Sequence, residues 1–259
     1  MMLTRNHALR RMRAGEVALG LGIHHLRGAA TPLLARAAGY DWLFIDTEHG
    51  AMSVGEATQI CLAALPAGVT PIVRVCADAL DEGTRALDNG AMGIVVPHVD
   101  TAAQARRVAE AFRFPPVGHR SWGGPPAIFG FRPPPAAEAQ AAINGEILVV
   151  AMLETPEAVA NANEIAAVEG IDVLMFGTND LTAEMGIPGQ IGHERVQAAY
   201  AEVAAICQTQ GKILGMGGVY DRDWAPRYIR AGARFVLGGS DHQLLLAGAS
   251  ARAEFLRGG

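Results

Sequence analysis

Eight short apolar segments, rich in Val, Ile, Leu and Phe, recur along the 259-residue chain. They span residues 17–23, 42–48, 71–76, 93–99, 148–154, 173–179, 212–218 and 234–240. Their hydrophobic residues run almost without interruption instead of alternating with polar ones, which is typical of strands buried on both faces. The pattern therefore predicts eight strands of a parallel sheet.

The segments between these strands are rich in alanine and have helical character. Examples are 31–39, 82–90, 102–112, 156–168 and 193–211, and several of them end in Gly, a common signal at helix C-termini. Repeated strand and helix units imply parallel strands joined by helical crossovers, and eight units favour closure. We predict an α/β fold, one (β/α)8 TIM barrel over residues 1–259, with an open doubly wound sheet as the alternative.

Two further segments differ in composition from the strand and helix units. Residues 1–16 are basic without a long apolar stretch and predict a short amphipathic first helix. Residues 114–135 are too dense in Pro and Gly for a helix or a regular strand. We expect this loop to be a lid or an intersubunit loop, the alternative being a rigid surface excursion without function.

Charge and cysteine content exclude several classes of protein. The net charge is −5 and no block of Lys and Arg occurs, which argues against a nucleic-acid partner. No uninterrupted apolar run approaches membrane-spanning length, so we expect no membrane association. Cys61, Cys76 and Cys207 are widely spaced among apolar residues and predict reduced core thiols, hence a cytoplasmic protein.

Polar residues occur where several of the predicted strands end. They are Asp46, Glu48 and His49 after the second strand, Arg74 in the third, Glu154 closing the fifth, and Gly177, Thr178, Asn179 and Asp180 at the sixth. The active site of a parallel barrel lies at the carboxyl ends of its strands, so these residues are candidates for one site. Taken singly, Asp180 is also consistent with a helix N-cap and a lone His with a structural role.

Together, these residue types suit one chemistry. A buried guanidinium such as that of Arg74 cannot shed its charge and must find an anion. Glu154 and Asp180 are suited to hold Mg²⁺, Mn²⁺ or Co²⁺ while leaving positions for water and a chelating 2-oxo acid. The arginine would stabilise an enolate oxygen and a histidine would move protons. No lysine closes a strand, since Lys212 opens one, which argues against a Schiff-base aldolase.

Five motifs carry a family resemblance in their order and spacing. They are AGYDWLFIDTEHGAMS (38–53), PIVRV (71–75), PP-x-G-x-R (115–120), LETPEAV (153–159) and VEGIDVLMFGTNDLTAEMG (168–186). The chain, from about residue 17 to 256, resembles the HpcH/HpaI aldolases, class II pyruvate aldolases of the phosphoenolpyruvate/pyruvate-binding barrel superfamily. The resemblance implies reversible aldol addition between pyruvate and an aldehyde to give 4-hydroxy-2-oxo acids, and a homo-oligomer, a trimer or hexamer.

The resemblance also implies roles for individual residues. His49 matches the general acid/base, Arg74 the arginine that binds pyruvate, and Glu154 and Asp180 the metal ligands. Asp46 and Asp88 match carboxylates near the histidine, where either would fix its tautomer. Residues predicted to contact substrates are Arg74, Gly177, Thr178 and Asn179, with Arg27, His24 and Arg120 as candidates for a carboxylate or polar tail on the aldehyde.

The chain departs from the family pattern at a few positions. Met152 stands where many relatives have Gln, His24, His25 and Arg27 stand where small or hydroxyl residues are usual, and Trp122 stands where several relatives have a smaller residue. The preferred substrate is therefore left open. The two alternative functions are a lyase acting on an acyl-CoA, like the citrate lyase β-subunit and malyl-CoA lyase, and a noncatalytic metal-binding barrel.

Overall fold

Eight parallel strands close into one barrel in the computed structural model, which describes residues 3–258. Strands β1 to β8 span Ala18–Ile23, Trp42–Asp46, Thr70–Arg74, Gly93–Val96, Leu148–Leu153, Val173–Gly177, Ile213–Gly217 and Phe235–Ser240. They pair in sequence order, and β8 closes on β1. The predicted (β/α)8 barrel is confirmed and the open sheet is excluded. Several strands end up to three residues before the predicted ends, because there the chain turns away to form the barrel mouth.

Twelve α-helices accompany these strands in the described part of the chain. Helices α1 to α12 span His7–Arg13, Ala30–Ala37, Val54–Ala67, Leu80–Asp88, Ala102–Phe112, Ala136–Glu146, Pro156–Ala160, Ala162–Ala166, Thr178–Glu184, Glu194–Gln210, Ala225–Arg230 and Asp241–Leu256. All the helical segments named from the sequence are helical, and 156–168 divides into α7 and α8. Residues 3–258 contain no helix with both the length and the apolarity needed to cross a bilayer.

Alternate strand residues fill the inside of the barrel. Trp42 and Phe235, both fully buried, stack there with ring centroids 3.9 Å apart. Helix α1 closes the amino end of the barrel, because Leu9 and Met12 belong to the same buried cluster. The Asn6 side chain caps α1 by accepting from the Leu9 amide, and donates to two backbone carbonyls outside the helix.

The same alternation places polar side chains at the carboxyl end of the barrel. In β2, Trp42 and Phe44 belong to the inner cluster, so Asp46 points inward as well. Asp46 pairs in register with Arg74 of β3. Glu154 continues the inward parity of β5 one residue beyond its end. Strand geometry alone therefore directs these charges toward one mouth.

The loop at 114–135 is irregular, as predicted, except for a 3-10 turn at Ala127–Phe129. It packs against the amino end of the barrel, where the Phe114 amide and carbonyl both bond the side chain of Asn144 in α6. The Thr4 amide donates to the Ile128 carbonyl on the same side. A lid over the chain's own mouth is therefore excluded by position, and the intersubunit role stays a prediction.

The three cysteines are free, as predicted. Cys61 and Cys207 are buried, and burial raises the pKa of both thiols. Cys76 is exposed because it follows the end of β3, so the expectation of a core thiol is wrong at that position.

A glycine pair tests the packing of the barrel interior. A Cβ on Gly20 would overlap the Trp42 indole, whereas a Cβ on Gly145 in α6 would have no neighbour within 4 Å. We expect Gly20→Ala to lower the free energy of unfolding by about 1–3 kcal/mol through overpacking. Gly145→Ala should raise it by up to about 1 kcal/mol through helix propensity. Urea unfolding measures both, and equal effects of the two substitutions would contradict the packing described.

Candidate active site

A cavity of about 280 Å³ opens at the carboxyl end of the barrel. The predicted site residues that line it are His24, His49, Arg74, Gly177, Thr178, Asn179 and Asp180, whereas the buried Asp46 and Glu154 are not among the lining residues. The side chains of Phe44, Met152 and Met175 also face this space. The cavity thus combines charged groups on its walls with apolar groups from the barrel interior, a composition usual for small-molecule sites.

The central contact of this site is a buried ion pair. The fully buried Asp46 accepts from Arg74 Nε at 3.0 Å through Oδ1 and from Nη2 at 2.5 Å through Oδ2. Burial alone would raise the pKa of Asp46, but the hydrogen bonds and charge of Arg74 hold it below its usual value. Arg74 Nη1 lies 3.1 Å from Glu48 Oε2, and the guanidinium carbon lies 5.0 Å from the centroid of the Phe44 ring. The guanidinium is therefore fixed on three sides.

Asp46 lies beside the side chain of a different histidine from the one expected. Its Oδ2 lies 3.1 Å from Nδ1 of His24, which follows β1. It contacts His49 only through the backbone amide, at 3.3 Å. The His49 side chain is 66% exposed, and its Nε2 lies 3.9 Å from Glu48 Oε2. Asp46 therefore contacts the imidazole of His24, whereas the imidazole of His49 lies exposed at the rim.

Asp241 is a buried carboxylate at this end of the barrel that the sequence reasoning missed. Its side chain accepts from the backbone amides of His24, His25, Leu26 and His242 at 2.6–3.2 Å. Burial alone would raise the pKa of Asp241, but these four amides lower it. Asp241 directly follows β8, so the rule that found Asp46 and Glu154 would also have found it. It fixes the loop that carries His24.

The two predicted metal ligands, Glu154 and Asp180, are close enough for their charges to repel each other. Glu154 is buried, and its Oε2 accepts from the His98 amide at 2.8 Å. His98 has a φ of 51°, a strained conformation that aims this amide at the carboxylate. Burial raises the pKa of Glu154, and the charge of Asp180 adds to this. A cation between the two carboxylates would relieve that repulsion.

Local backbone structure explains the positions of both carboxylates. A Cβ on Gly177 would overlap the Glu154 carboxylate, so a larger residue at this position would displace that side chain. Asp180 lies in the first turn of α9, whose N-cap is Gly177, and it is exposed. The alternative reading of Asp180 as an N-cap is therefore wrong.

Three predicted site residues lie elsewhere in the described chain. Asp88 ends α4 at the amino end of the barrel, where its Oδ1 accepts from Arg120 Nη2 at 2.7 Å. Asp88 and Arg120 therefore do not reach the cavity of their own chain. Arg27 lies on the rim, where its Nη1 donates to the His24 and Leu26 carbonyls and its Nε lies 3.5 Å from Glu56 Oε1.

Comparison with known proteins identifies the family. The model of the HpcH/HpaI aldolase/citrate lyase family matches residues 28–247. The chain belongs to this family. A 4-hydroxy-4-methyl-2-oxoglutarate aldolase from Hapsidospora irregularis is 40% identical, over 91% of this chain and 89% of its own. A hydroxypyruvate/pyruvate aldolase from Pseudomonas aeruginosa is 35% identical, over 98% of this chain and 94% of its own.

The fold of the family agrees with the barrel described above. The crystal structure of an HpcH/HpaI aldolase from Desulfitobacterium hafniense superposes with a TM-score of 0.88 at 28% identity, covering 96% of each chain. The prediction of an HpcH/HpaI aldolase, a carbon–carbon lyase, is confirmed at the level of the family and its reaction class. These relatives favour an aldolase over the acyl-CoA lyase and the noncatalytic barrel.

The support of the His24 loop by Asp241 is testable through pH. Asp241→Asn should lower the free energy of unfolding at about pH 7 by roughly 1–3 kcal/mol. A carboxylate with a depressed folded pKa stabilises the fold above its unfolded pKa of about 3.9 and loses that contribution as the pH falls through the folded pKa. The difference from wild type should therefore be constant from about pH 7 to about pH 5 and shrink toward about pH 3.

Urea unfolding followed by circular dichroism measures this difference. The exposed Asp78 provides the matched control, since Asp78→Asn should change stability little at either pH. An Asp241→Asn deficit that stays the same at about pH 3 would show that the ionised carboxylate is not what fixes the loop.

Proposed function

We propose that the chain is a class II aldolase that uses a divalent cation to add pyruvate reversibly to a carbonyl acceptor, giving 4-hydroxy-2-oxo acids. The observation that carries this proposal is the placement of Arg74 and Asp180 on one cavity, with the buried Glu154 close enough to both for their charges to act on its pKa. A fixed cation beside two carboxylates suits the stabilisation of an enolate, the intermediate that this reaction requires.

The donor set fits a hard divalent cation. Glu154 and Asp180 supply only carboxylate oxygens, and two such ligands leave coordination positions for water and a 2-oxo acid. No group of three or more His, Cys, Asp or Glu suited to hold a metal occurs within residues 3–258, which fits an open site better than a closed structural one. We propose Mg²⁺, Mn²⁺ or Co²⁺, which when bound supplies a Lewis acid for the pyruvate carbonyl.

The chain's own residues have separable roles in this proposal. Arg74 binds the carbonyl oxygen of pyruvate and stabilises the enolate, while Asp46 keeps the guanidinium in place. His49 acts as acid/base at the methyl carbon of pyruvate from its position at the rim. Asn179 and the backbone of Gly177 and Thr178 contact pyruvate, since the Thr178 hydroxyl is already bonded to the buried Tyr200.

The single lysine of the sequence supports metal activation over imine formation. Lys212 precedes β7 at the amino end of the barrel, where Nζ donates to the carbonyls of Val168 and Ile171. It lies at the opposite end from the cavity and cannot form a Schiff base with a substrate there.

The first substrate to test follows from the relatives. We propose 4-hydroxy-4-methyl-2-oxoglutarate, which cleaves to two molecules of pyruvate so that the acceptor is itself pyruvate, because a relative is named for it. An aldehyde acceptor, as the sequence predicts, is the second class to screen. The apolar side chain of Met152 lines the cavity, so this position supplies no hydrogen bond to either class.

We also propose a homo-oligomer, a trimer or hexamer. Helix α12 exposes Leu245, Leu246, Phe255 and Leu256, each by more than 60%. So much exposed apolar side chain on one helix is unusual for a monomer and supports an interface between copies. The predicted cytoplasmic location remains a prediction.

Removal of one carboxylate tests the metal site. Asp180→Asn should weaken Mn²⁺ binding by at least about tenfold, since it takes one of the two anionic ligands. Equilibrium titration of EDTA-stripped protein, followed by Mn²⁺ electron paramagnetic resonance, measures the free ion directly. Glu184→Gln, at the last residue of the same short helix, is the control and should bind as wild type does. Unchanged affinity in Asp180→Asn would contradict the assignment.

Cleavage of 4-hydroxy-4-methyl-2-oxoglutarate tests the activity itself. Pyruvate release, coupled to lactate dehydrogenase, should require a divalent cation and stop with EDTA. His49→Ala should lower kcat by about 100-fold or more while pyruvate still binds as an inhibitor. Turnover that persists in His49→Ala would refute the role of His49. The absence of cleavage of every tested 4-hydroxy-2-oxo acid, with every tested cation, would refute the proposed function.

A further inference from the structure

His24 is one of three histidines that line the cavity, with His49 and His242. It follows β1 and lines the same space as Arg74 and His49. Its side chain is 22% exposed, compared with 66% for His49. Nδ1 lies 3.1 Å from the buried Asp46, and Nε2 has no hydrogen-bond partner in the described part of the chain. Because Nε2 is on the far side of the ring from Nδ1, it faces away from Asp46.

The surroundings of His24 favour one protonation state and one tautomer. The charged groups around it are Asp46 from β2, Arg74 from β3, and Asp241 and His242 from the start of α12. Burial lowers the pKa of His24, against the raising effect of the two carboxylates. A neutral imidazole that carries its proton on Nδ1, the nitrogen 3.1 Å from Asp46 Oδ2, keeps its lone pair on Nε2.

Asp46 joins His24 to the group that stabilises the enolate. Its Oδ2 accepts from Arg74 Nη2 and lies 3.1 Å from His24 Nδ1. The carboxylate thus sets the spacing between guanidinium and imidazole. Asp241 fixes the backbone of the His24 loop from the other side. The ring therefore lies between the Asp46 carboxylate and a loop whose backbone Asp241 fixes.

We propose that His24 is the acid/base residue for the acceptor-derived oxygen. The assignment rests on the proposed aldolase function. In cleavage, Nε2 takes the proton of the C4 hydroxyl as the C3–C4 bond breaks. The hydroxyl oxygen becomes the carbonyl oxygen of the released acceptor, and the bond's electron pair becomes the pyruvate enolate. In the reverse direction, aldol addition, the protonated His24 returns that proton to the new alkoxide.

This assignment separates the two proton transfers of the reaction. The proton at the pyruvate methyl carbon belongs to His49, and the proton at the C4 oxygen belongs to His24. Exchange of pyruvate methyl protons in deuterated water requires only the first transfer. Cleavage of 4-hydroxy-4-methyl-2-oxoglutarate requires both. Comparison of the two rates in the same protein therefore isolates the second transfer.

The test uses the Mn²⁺-loaded full-length protein. Both His24→Ala and His24→Gln should lower kcat for cleavage by about 100-fold or more and leave the exchange rate close to that of wild type. Added imidazole should restore part of the cleavage rate of His24→Ala and none of the rate of His24→Gln. His25→Ala is the matched control, because His25 is exposed and does not line the cavity, and both of its rates should match wild type.

Other outcomes would overturn the assignment. Equal losses of exchange and cleavage would mean that His24 only supports Asp46 and Arg74. A rise in KM for cleavage with unchanged kcat would mean that His24 only binds the acceptor-derived part of the substrate. Wild-type rates of cleavage and exchange in both variants would mean that His24 has no role. A wild-type protein with no metal-dependent exchange would instead refute the proposed function, which distinguishes the two failures.

Discussion

The buried contact between Asp46 and Arg74 is the interaction on which the site depends. Two adjacent strands in register present these side chains inward at the same level of the barrel. An unpaired charge at that depth would cost several kcal/mol, and removal of one partner of such a pair typically costs about 3–5 kcal/mol. The pair also contacts the imidazole of His24, with Asp46 Oδ2 3.1 Å from its Nδ1, and the carboxylate of Glu48, with Oε2 3.1 Å from Arg74 Nη1. Stability and chemistry therefore rest on the same carboxylate.

Much of this architecture follows from the pattern of the sequence. Continuous apolar runs identify all eight strands, because strands covered by helices on one face and by the barrel core on the other leave no solvent-facing positions. Polar residues that close those runs identify Asp46, Arg74 and Glu154, since inward parity and strand ends are local properties. Gly177 is explained in the same way, because the strand next to β5 must leave room for the Glu154 carboxylate.

Long-range loop geometry accounts for what the sequence does not predict. The partnership of His24 with Asp46 depends on a loop that Asp241, more than 200 residues later, holds in place. The strained φ of His98, which aims its amide at Glu154, has no signature in a single sequence. Motif resemblance placed Asp88 near the histidine, and Arg120 was a candidate for the polar tail of the aldehyde, yet the helix end and loop that carry them lie at the other end of the barrel.

The central claim is that Arg74 and a divalent cation at Glu154 and Asp180 together stabilise a pyruvate enolate. Proton NMR of pyruvate in deuterated water tests it without any knowledge of the acceptor. We predict loss of the methyl signal with wild-type protein and Mn²⁺ or Mg²⁺, no loss after EDTA treatment, and no loss with Arg74→Lys, which keeps the charge but not the forked geometry. Exchange that survives EDTA, or that proceeds unchanged in Arg74→Lys, would contradict the account.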